Sequence, residues 1–444
     1  MVLPGKMNEN EIQKLHPWFV PGKWFTSPAT WFPEVRAMMP DLPKRVHIQE
    51  TTLREGEENV SVSFTIDQKV EIARRLSEMG VEAIDCGYMG NPYQEETVKR
   101  ILAAGVIKKP TRLILNRMCG DLYKQLDVLK GAADHAVKLG CTAFGPVCLQ
   151  VPETPVEQEA YVKLARYIKE THPDLHISMG ITMASGSYRV LKNLPSMRAY
   201  HNLQLQLAKL ATEAGVDRIS IADTMGCASP SAWKYIVSNF RQAIGPNKGL
   251  TCHNHNDFGL AVGNAVSGIE GGADWLDVVI CGLGDRAGNT SFEEVVLALE
   301  GIYGVSTGIK LEKLYDLAQY VQKASGAWTQ HWKAVVGDRV WAESSHASGL
   351  IDLKRKGQSF FEAGMEAWNP EIVGQTHQLF FGKVVINPSV IEGFLKYLGL
   401  KTDKKTIDAI VKEGLEEIDR RAAAGQDRWL TEEEVNDLCR KMAK

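Results

Sequence analysis

Two short stretches of this chain carry residue types that can do chemistry together. One is Glu50-Thr-Thr-Leu-Arg-Glu-Gly-Glu-Glu58, and the other, far downstream, is Cys252-His-Asn-His-Asn-Asp257. A carboxylate beside an arginine at the end of one predicted strand, with two histidines at i and i+2 at the end of another, supplies what a catalytic divalent metal needs. Side chains alternate along a strand, so His253 and His255 point to one side while Asn254 turns away. One glutamate, Glu55, and two histidines leave about half of an octahedral shell open to water or substrate. A lone HxH is more often two satisfied polar residues at a strand end, so the pair gains weight only from its company.

That company is a set of ordered blocks. Leu53-Arg-Glu-Gly-Glu-Glu58, Ala222-Asp-Thr-Met-Gly226, His253-Asn-His-Asn-Asp-Phe-Gly-Leu-Ala-Val-Gly-Asn-Ala265 and the run from Gly282 to Val295 (GLGDRAGNTSFEEV) resemble the signature blocks of the isopropylmalate synthase and homocitrate synthase family. That family belongs, with 3-hydroxy-3-methylglutaryl-CoA lyase, to the metal-dependent aldolase-type barrels. The blocks keep the family's order from Val46 to Leu299, and a weaker similarity continues beyond them.

The resemblance implies metal-dependent chemistry that the residues themselves can support. A divalent ion (Mg, Mn, Zn, Fe or Co) held by Glu55, His253 and His255, with Asn289 as a further or water-mediated ligand, would chelate a 2-oxo acid and polarise its carbonyl. Arg54, permanently charged, is suited to stabilise the oxyanion formed when a carbon nucleophile attacks that carbonyl, or the enolate in the reverse direction. Thr224 matches the family threonine that hydrogen-bonds the oxo-acid carboxylate; the alternative is an N-cap at a strand-to-helix turn. Arg117 is a candidate for a second carboxylate, although arginines at barrel rims are often plain ion-pair partners. Asp85 stands where the family has a glutamate near the metal and the arginine, and its shorter side chain moves that charge. The glycines of Gly282 to Asn289 lack GxGxxG spacing and read as a tight turn, with Asp285 and Arg286 paired and Asn289 facing the metal. Asp257 is expected to orient a metal histidine or to cap the next helix.

The elements that must position these groups alternate eight times. Strand-like runs lie at Val46 to Gln49, Ala83 to Cys86, Arg112 to Asn116, Thr142 to Val147, His176 to Gly180, Arg218 to Ala222, Leu250 to His253 and Leu276 to Cys281. Amphipathic stretches such as Asp67 to Met79, Asp121 to Lys138, Glu157 to Thr171, Tyr200 to Ala214 and Ser229 to Ala243 separate them. The pattern predicts a (β/α)8 TIM barrel over 45–305, whose active site belongs at the C-terminal strand ends where Arg54, Thr224, His253 and Asn289 fall. Residues 1–44, with Trp18, Trp24 and Trp31 among prolines, predict an irregular aromatic arm that buries its rings on its own barrel or on a partner subunit. Residues 306–444 predict helical C-terminal subdomains, with Thr431 to Glu434 opening the last helix. The plan, without a large leucine-sensing domain, and the glutamate at position 55 are closer to homocitrate synthases.

Composition excludes other classes. The chain has 444 residues, 44% hydrophobic and 24% charged, with net charge −3 and pI near 6.4, so no basic field exists for nucleic acid or membrane. No signal-length or membrane-length apolar run occurs, and none of the eight cysteines forms a CxxC, which predicts a cytoplasmic protein with buried thiols.

Three departures from the family bear on substrate and direction. Ser185 and Gly186 occupy the places of an acidic pair after strand five. The HxSGIH element reads His346-Ala-Ser-Gly-Leu-Ile351, so His346 is either the proton acceptor or a solvated loop histidine. The GKxSG motif becomes Gly382-Lys-Val-Val-Ile386. The leading expectation is an acyltransferase condensing an acyl-CoA, acetyl-CoA foremost, with a 2-oxo acid, working as a homodimer or higher homo-oligomer with no nucleic acid or membrane partner. The alternative is a carbon–carbon lyase or aldolase. A non-catalytic barrel would leave Arg54 beside an intact Glu/His/His set without purpose.

Overall fold

Eight parallel strands close on themselves: β1 (His47–Glu50), β2 (Ala83–Tyr88), β3 (Arg112–Cys119), β4 (Ala143–Cys148), β5 (His176–Ile181), β6 (Arg218–Asp223), β7 (Gly249–Asn254) and β8 (Trp275–Val278). The seam is β8, where Leu276 pairs with Ile48 of β1 and with Cys252 of β7. The architecture is the expected (β/α)8 barrel. The computed structural model describes residues 18–119, 124–148, 155–188, 196–343, 353, 356, 357, 361 and 366–443.

The chain forms two units, Ser27–Thr329 and a second that joins the segment up to Thr26 to Gln330–Lys444. In the barrel unit the intervening helices follow from local signals. The helix Ile66–Met79 opens with a Thr65–Gln68 capping box and stops at Gly80, whose φ of 99° a side chain would resist. Ile72, Ala73, Leu76 and Met79 fall on one face and are fully buried, each of the larger ones worth roughly 1.5–3 kcal/mol. The helix Pro230–Ile244 buries Trp233, Val237, Phe240 and Ile244 at the same spacing. Inside the barrel Trp275 packs with Ala83, Ile114 and Ala143, at or near the starts of their strands.

The aromatic arm is more regular than its sequence suggests. Phe19–Val20 and Trp24–Phe25 pair as a short hairpin, and Trp24 bridges to Trp368 within the second unit. Trp31 belongs to the barrel unit, where it packs on Gly304 under the Arg36 guanidinium, 4.4 Å from the ring centre. Prolines at the first positions of Pro28–Trp31 and Pro33–Arg36 preset their turns, a local signal that periodicity cannot register.

In the second unit the helices Pro388–Leu398, Lys404–Ala423 and Glu432–Met442 enclose Phe381, Ile391, Phe394, Ile410 and Leu430. Thr431 and Glu434 form the expected capping box. Six cysteines stand outside any disulfide: Cys86, Cys141, Cys252, Cys281 and Cys439 are buried and Cys227 is exposed. No described helix is long and apolar enough to cross a membrane.

Candidate metal and substrate site

The sharp turn after β1 places Arg54 and Glu55 side by side, and strand alternation on β7 turns His253 toward them, with His255 just beyond the strand end. Glu55, His253 and His255 are all buried, and each offers a ligand atom within 4.8 Å of the others. His253 Nε2 lies 3.2 Å from Glu55 Oε1 and 3.3 Å from His255 Nε2. The Asn289 amide faces the same point, 3.2 Å from His253 Nε2. Glu55 Oε2 is buried with no partner, and these nitrogen and oxygen donors fit a divalent cation.

The loop that presents Asn289 must be glycine-rich. A Cβ on Gly284 would fall 2.0 Å from Asn289 Oδ1, and one on Gly288, whose φ is 94°, would fall 2.0 Å from the Gly282 carbonyl. The loop is thus the expected tight turn, and Arg286 pairs with Asp285 within it.

Arg54 is held from several sides. Its Nε donates to Asp85 Oδ2 at 2.8 Å, and Nη1 reaches Glu55, the Tyr88 hydroxyl at 3.2 Å and Glu58 at 3.4 Å. Burial opposes its charge, yet the Asp85 and Glu55 carboxylates hold it well above its ordinary range. Burial likewise disfavours ionised Glu55, but Arg54 and His253 keep it below the usual carboxylate range. Despite burial, Glu55 and Asp277 push His253 up to about 10, while burial and the neighbouring His253 bring His255 down to about 3. Protonated His253 thus lies beside ionised Glu55.

A cavity of about 180 Å³ opens from these groups into the barrel, lined among others by Glu58, Asp85, Tyr88, Thr224 and Asp277. Thr224 is not a helix cap, since Ser229 caps the following helix. The Thr224 Oγ1 accepts the Met183 amide at 2.9 Å, leaving its own hydrogen for the cavity. Asp85 lies against Arg54 and also accepts from Asn116 Nδ2 at 2.7 Å. Arg117 does not line the cavity. Strand alternation puts Asn116 there instead, and Arg117 Nη1 donates to the Met89 carbonyl at 2.8 Å.

Two supporting roles fall to other residues than expected. Asp257 neither orients a histidine nor caps a helix: it takes a two-pronged ion pair from Arg286 at 2.7 and 2.8 Å, and Asn256 accepts the Ala261 amide. The residue that holds His253 is Asp277 of β8, 3.0 Å from its Nδ1. Ser185 donates to Asp223 Oδ1 at 2.5 Å, which ties down the loop where the acidic pair is missing. His346 and Ile351 lie outside the described residues.

With this geometry in place, three comparisons bear on the chain. Residues 45–321 match the family described as HMGL-like. A putative (R)-citramalate synthase CimA of Methanopyrus kandleri is 31% identical over 84% of this chain and 69% of its own length. A 2-isopropylmalate synthase of Methanocaldococcus jannaschii is 31% identical over 91% of this chain and 74% of its own. Proteins named homocitrate synthase are also similar. Among solved structures, the HMG-CoA lyase of Bacillus subtilis superposes with a TM-score of 0.52 over 64% of this chain and 94% of its own, at 19% identity, a likeness of fold.

Proposed function

The chain belongs to the HMGL-like family, and we propose that its barrel condenses an acyl-CoA, acetyl-CoA foremost, with a 2-oxo acid. The observation that carries this reading is the meeting of Glu55, His253 and His255 beside a buried, fully charged Arg54 at the mouth of one cavity. Relatives near 31% identity are named synthases, whereas the lyase likeness is one of fold, so condensation is the reading taken.

A divalent ion on Glu55, His253 and His255, with Asn289 beside it, would polarise the oxo-acid carbonyl. Everything else is done by the chain. Thr224 donates its hydroxyl to the oxo-acid carboxylate. Glu58 takes a proton from the acyl carbon: it lines the open end of the cavity and accepts from the Tyr88 hydroxyl at 3.0 Å. Burial and neighbouring Glu55 raise its carboxyl above the ordinary value, which suits a base. The carbanion attacks the carbonyl carbon, a carbon–carbon bond forms, and the charge moves to the former keto oxygen, where the guanidinium of Arg54 stabilises it. Protonation of that oxygen and hydrolysis of the thioester release free CoA thiol. His346 is a second acceptor in this scheme, on the resemblance alone.

The five buried cysteine thiols suit a cytoplasmic setting, and the family resemblance suggests a homodimer. The test is metal-dependent release of free thiol from acetyl-CoA across a panel of 2-oxo acids. Absence of release with every acid, alongside metal-dependent cleavage of 3-hydroxyacyl-CoA thioesters, would overturn the reading in favour of the lyase.

A further inference from the structure

Barrel interiors of this type are filled by layers of bulky branched side chains. Here Gly145, Ser178, Gly180 and Ser220, from three neighbouring strands, line the wall of the cavity, which therefore continues past Ile114 and Asn116 to Gln49 and Arg218. Arg218, the first residue of β6, is 2% exposed. Its Nε donates to Ser178 Oγ at 3.3 Å, Nη2 donates to Gln49 Oε1, and the guanidinium lies 4.3 Å from the centre of the Trp275 ring. These partners are a hydroxyl, an amide oxygen and a ring face, none of them a carboxylate. Nη1 has no hydrogen-bond partner at all. Burial lowers the guanidinium to about 10, which leaves it charged at neutral pH. Asp277 and Asp85 line the same cavity and attract the Arg218 charge, yet neither hydrogen-bonds to it: Asp277 Oδ2 holds His253 at 3.0 Å and Asp85 holds Arg54 at 2.8 Å.

A buried cation with an unmet donor, inside a cavity that leads to a 2-oxo acid site, is costly unless something anionic meets it. An apolar 2-oxo acid would press its alkyl end against Arg218, Gln49 and Ser178 and leave them unpaired. We propose that Arg218 receives a second carboxylate of the substrate, so that the 2-oxo acid is a diacid held by its oxo end at the rim and by its far end at Arg218. Gln49 and Ser178 hold the guanidinium in place as positioning residues. The sequence offered Arg117 as a candidate for a second carboxylate, but that side chain donates to the Met89 carbonyl; besides Arg54, the cation that lines the cavity is Arg218. This proposal rests on the reading that the site takes a 2-oxo acid.

The experiment uses the full chain loaded with divalent metal and compares acids of equal length: 2-oxopentanedioate against 2-oxopentanoate, and 2-oxohexanedioate against 2-oxohexanoate. Binding is measured calorimetrically without acyl-CoA, and turnover separately by free-thiol release. At least one diacid should bind about 10-fold or more tightly than its monoacid, the scale of a buried charge-assisted pair. Arg218→Gln should abolish that preference by weakening diacid binding about 10-fold or more relative to monoacid binding, and Arg218→Lys should keep part of it. Equal binding of both classes by the native chain, or an equal loss for both in a folded Arg218→Gln variant, overturns the proposal. Should that variant fail to fold, the native comparison decides. Selective diacid binding without thiol release would sink the condensation reading and leave the subsite standing; turnover of monoacids with no diacid preference would do the reverse.

Discussion

Asp277 Oδ2 sits 3.0 Å from His253 Nδ1, so the second ring nitrogen of a proposed metal-site histidine is fixed by a carboxylate on the adjacent strand. That contact sets which nitrogen faces Glu55 and how the ring is turned. Asp277→Asn should weaken metal binding about 10- to 100-fold with the barrel intact. Unchanged metal affinity in the variant would show that β7 alone orients the ring.

His253→Ala should abolish metal binding and leave the circular dichroism spectrum unaltered, because the ligands sit on the rim and not in the packed interior. The metal-free site keeps a proton on His253 up to about pH 10, and a cation must displace it. Affinity should therefore rise with pH, by roughly tenfold per unit between pH 6 and 8, with proton release on binding. Full metal occupancy in the alanine variant, or pH-independent binding, contradicts the assignment.

Arg54→Lys should keep metal and fold and lose about 100-fold or more in kcat. Lysine preserves the charge but cannot donate to Asp85 and to a developing oxyanion from one planar fork. Near-normal turnover would reduce Arg54 to an ion-pair partner of Asp85.

Glu58→Gln keeps a hydrogen-bonding group beside Tyr88 but removes the base, so kcat should fall about 100-fold or more with little change in oxo-acid affinity. His346→Ala is the companion measurement. A large loss there, with Glu58→Gln near normal, would move the base to the post-barrel element.

Glu50 gives a prediction about stability. Its carboxyl is buried, with one oxygen accepting from Thr52 and the other unpartnered, and burial raises it from 4.5 to about 8. The folded chain then holds a proton that the unfolded chain has released, so this group lowers stability progressively as pH rises from 4.5 to 8. Glu50→Gln should be more stable than the native chain at pH 8 by roughly 1–3 kcal/mol and show a flatter pH dependence in urea titrations. Parallel pH curves for the two proteins would place the ionisation elsewhere.

The barrel and the meeting of Glu55, His253 and His255 were legible because their signals are local: alternating strand and helix patterns, and an i, i+2 pair at a strand end. What escaped depends on side-chain direction or on distant neighbours. Arg117 and Asn116 differ by one position, and alternation sends only one into the cavity. Asp277 had a readable signal, a lone acid within the apolar Trp275–Val278 strand, but its histidine partner is a contact between strands. A charge at the first residue of a strand usually meets solvent. Arg218 is buried, its guanidinium 4.3 Å from the centre of the ring of Trp275, which lies on a strand far along the sequence.

The closing strand has a consequence for how the protein matures. Glu55 follows β1 and His253 ends β7, and β8 is the strand that joins those two edges. Until it inserts, the ligands belong to opposite ends of an unclosed sheet and cannot share an ion. Metal capture at the proposed site would thus report that the ring has been completed, and a nascent chain lacking its eighth strand would have the donors but no site.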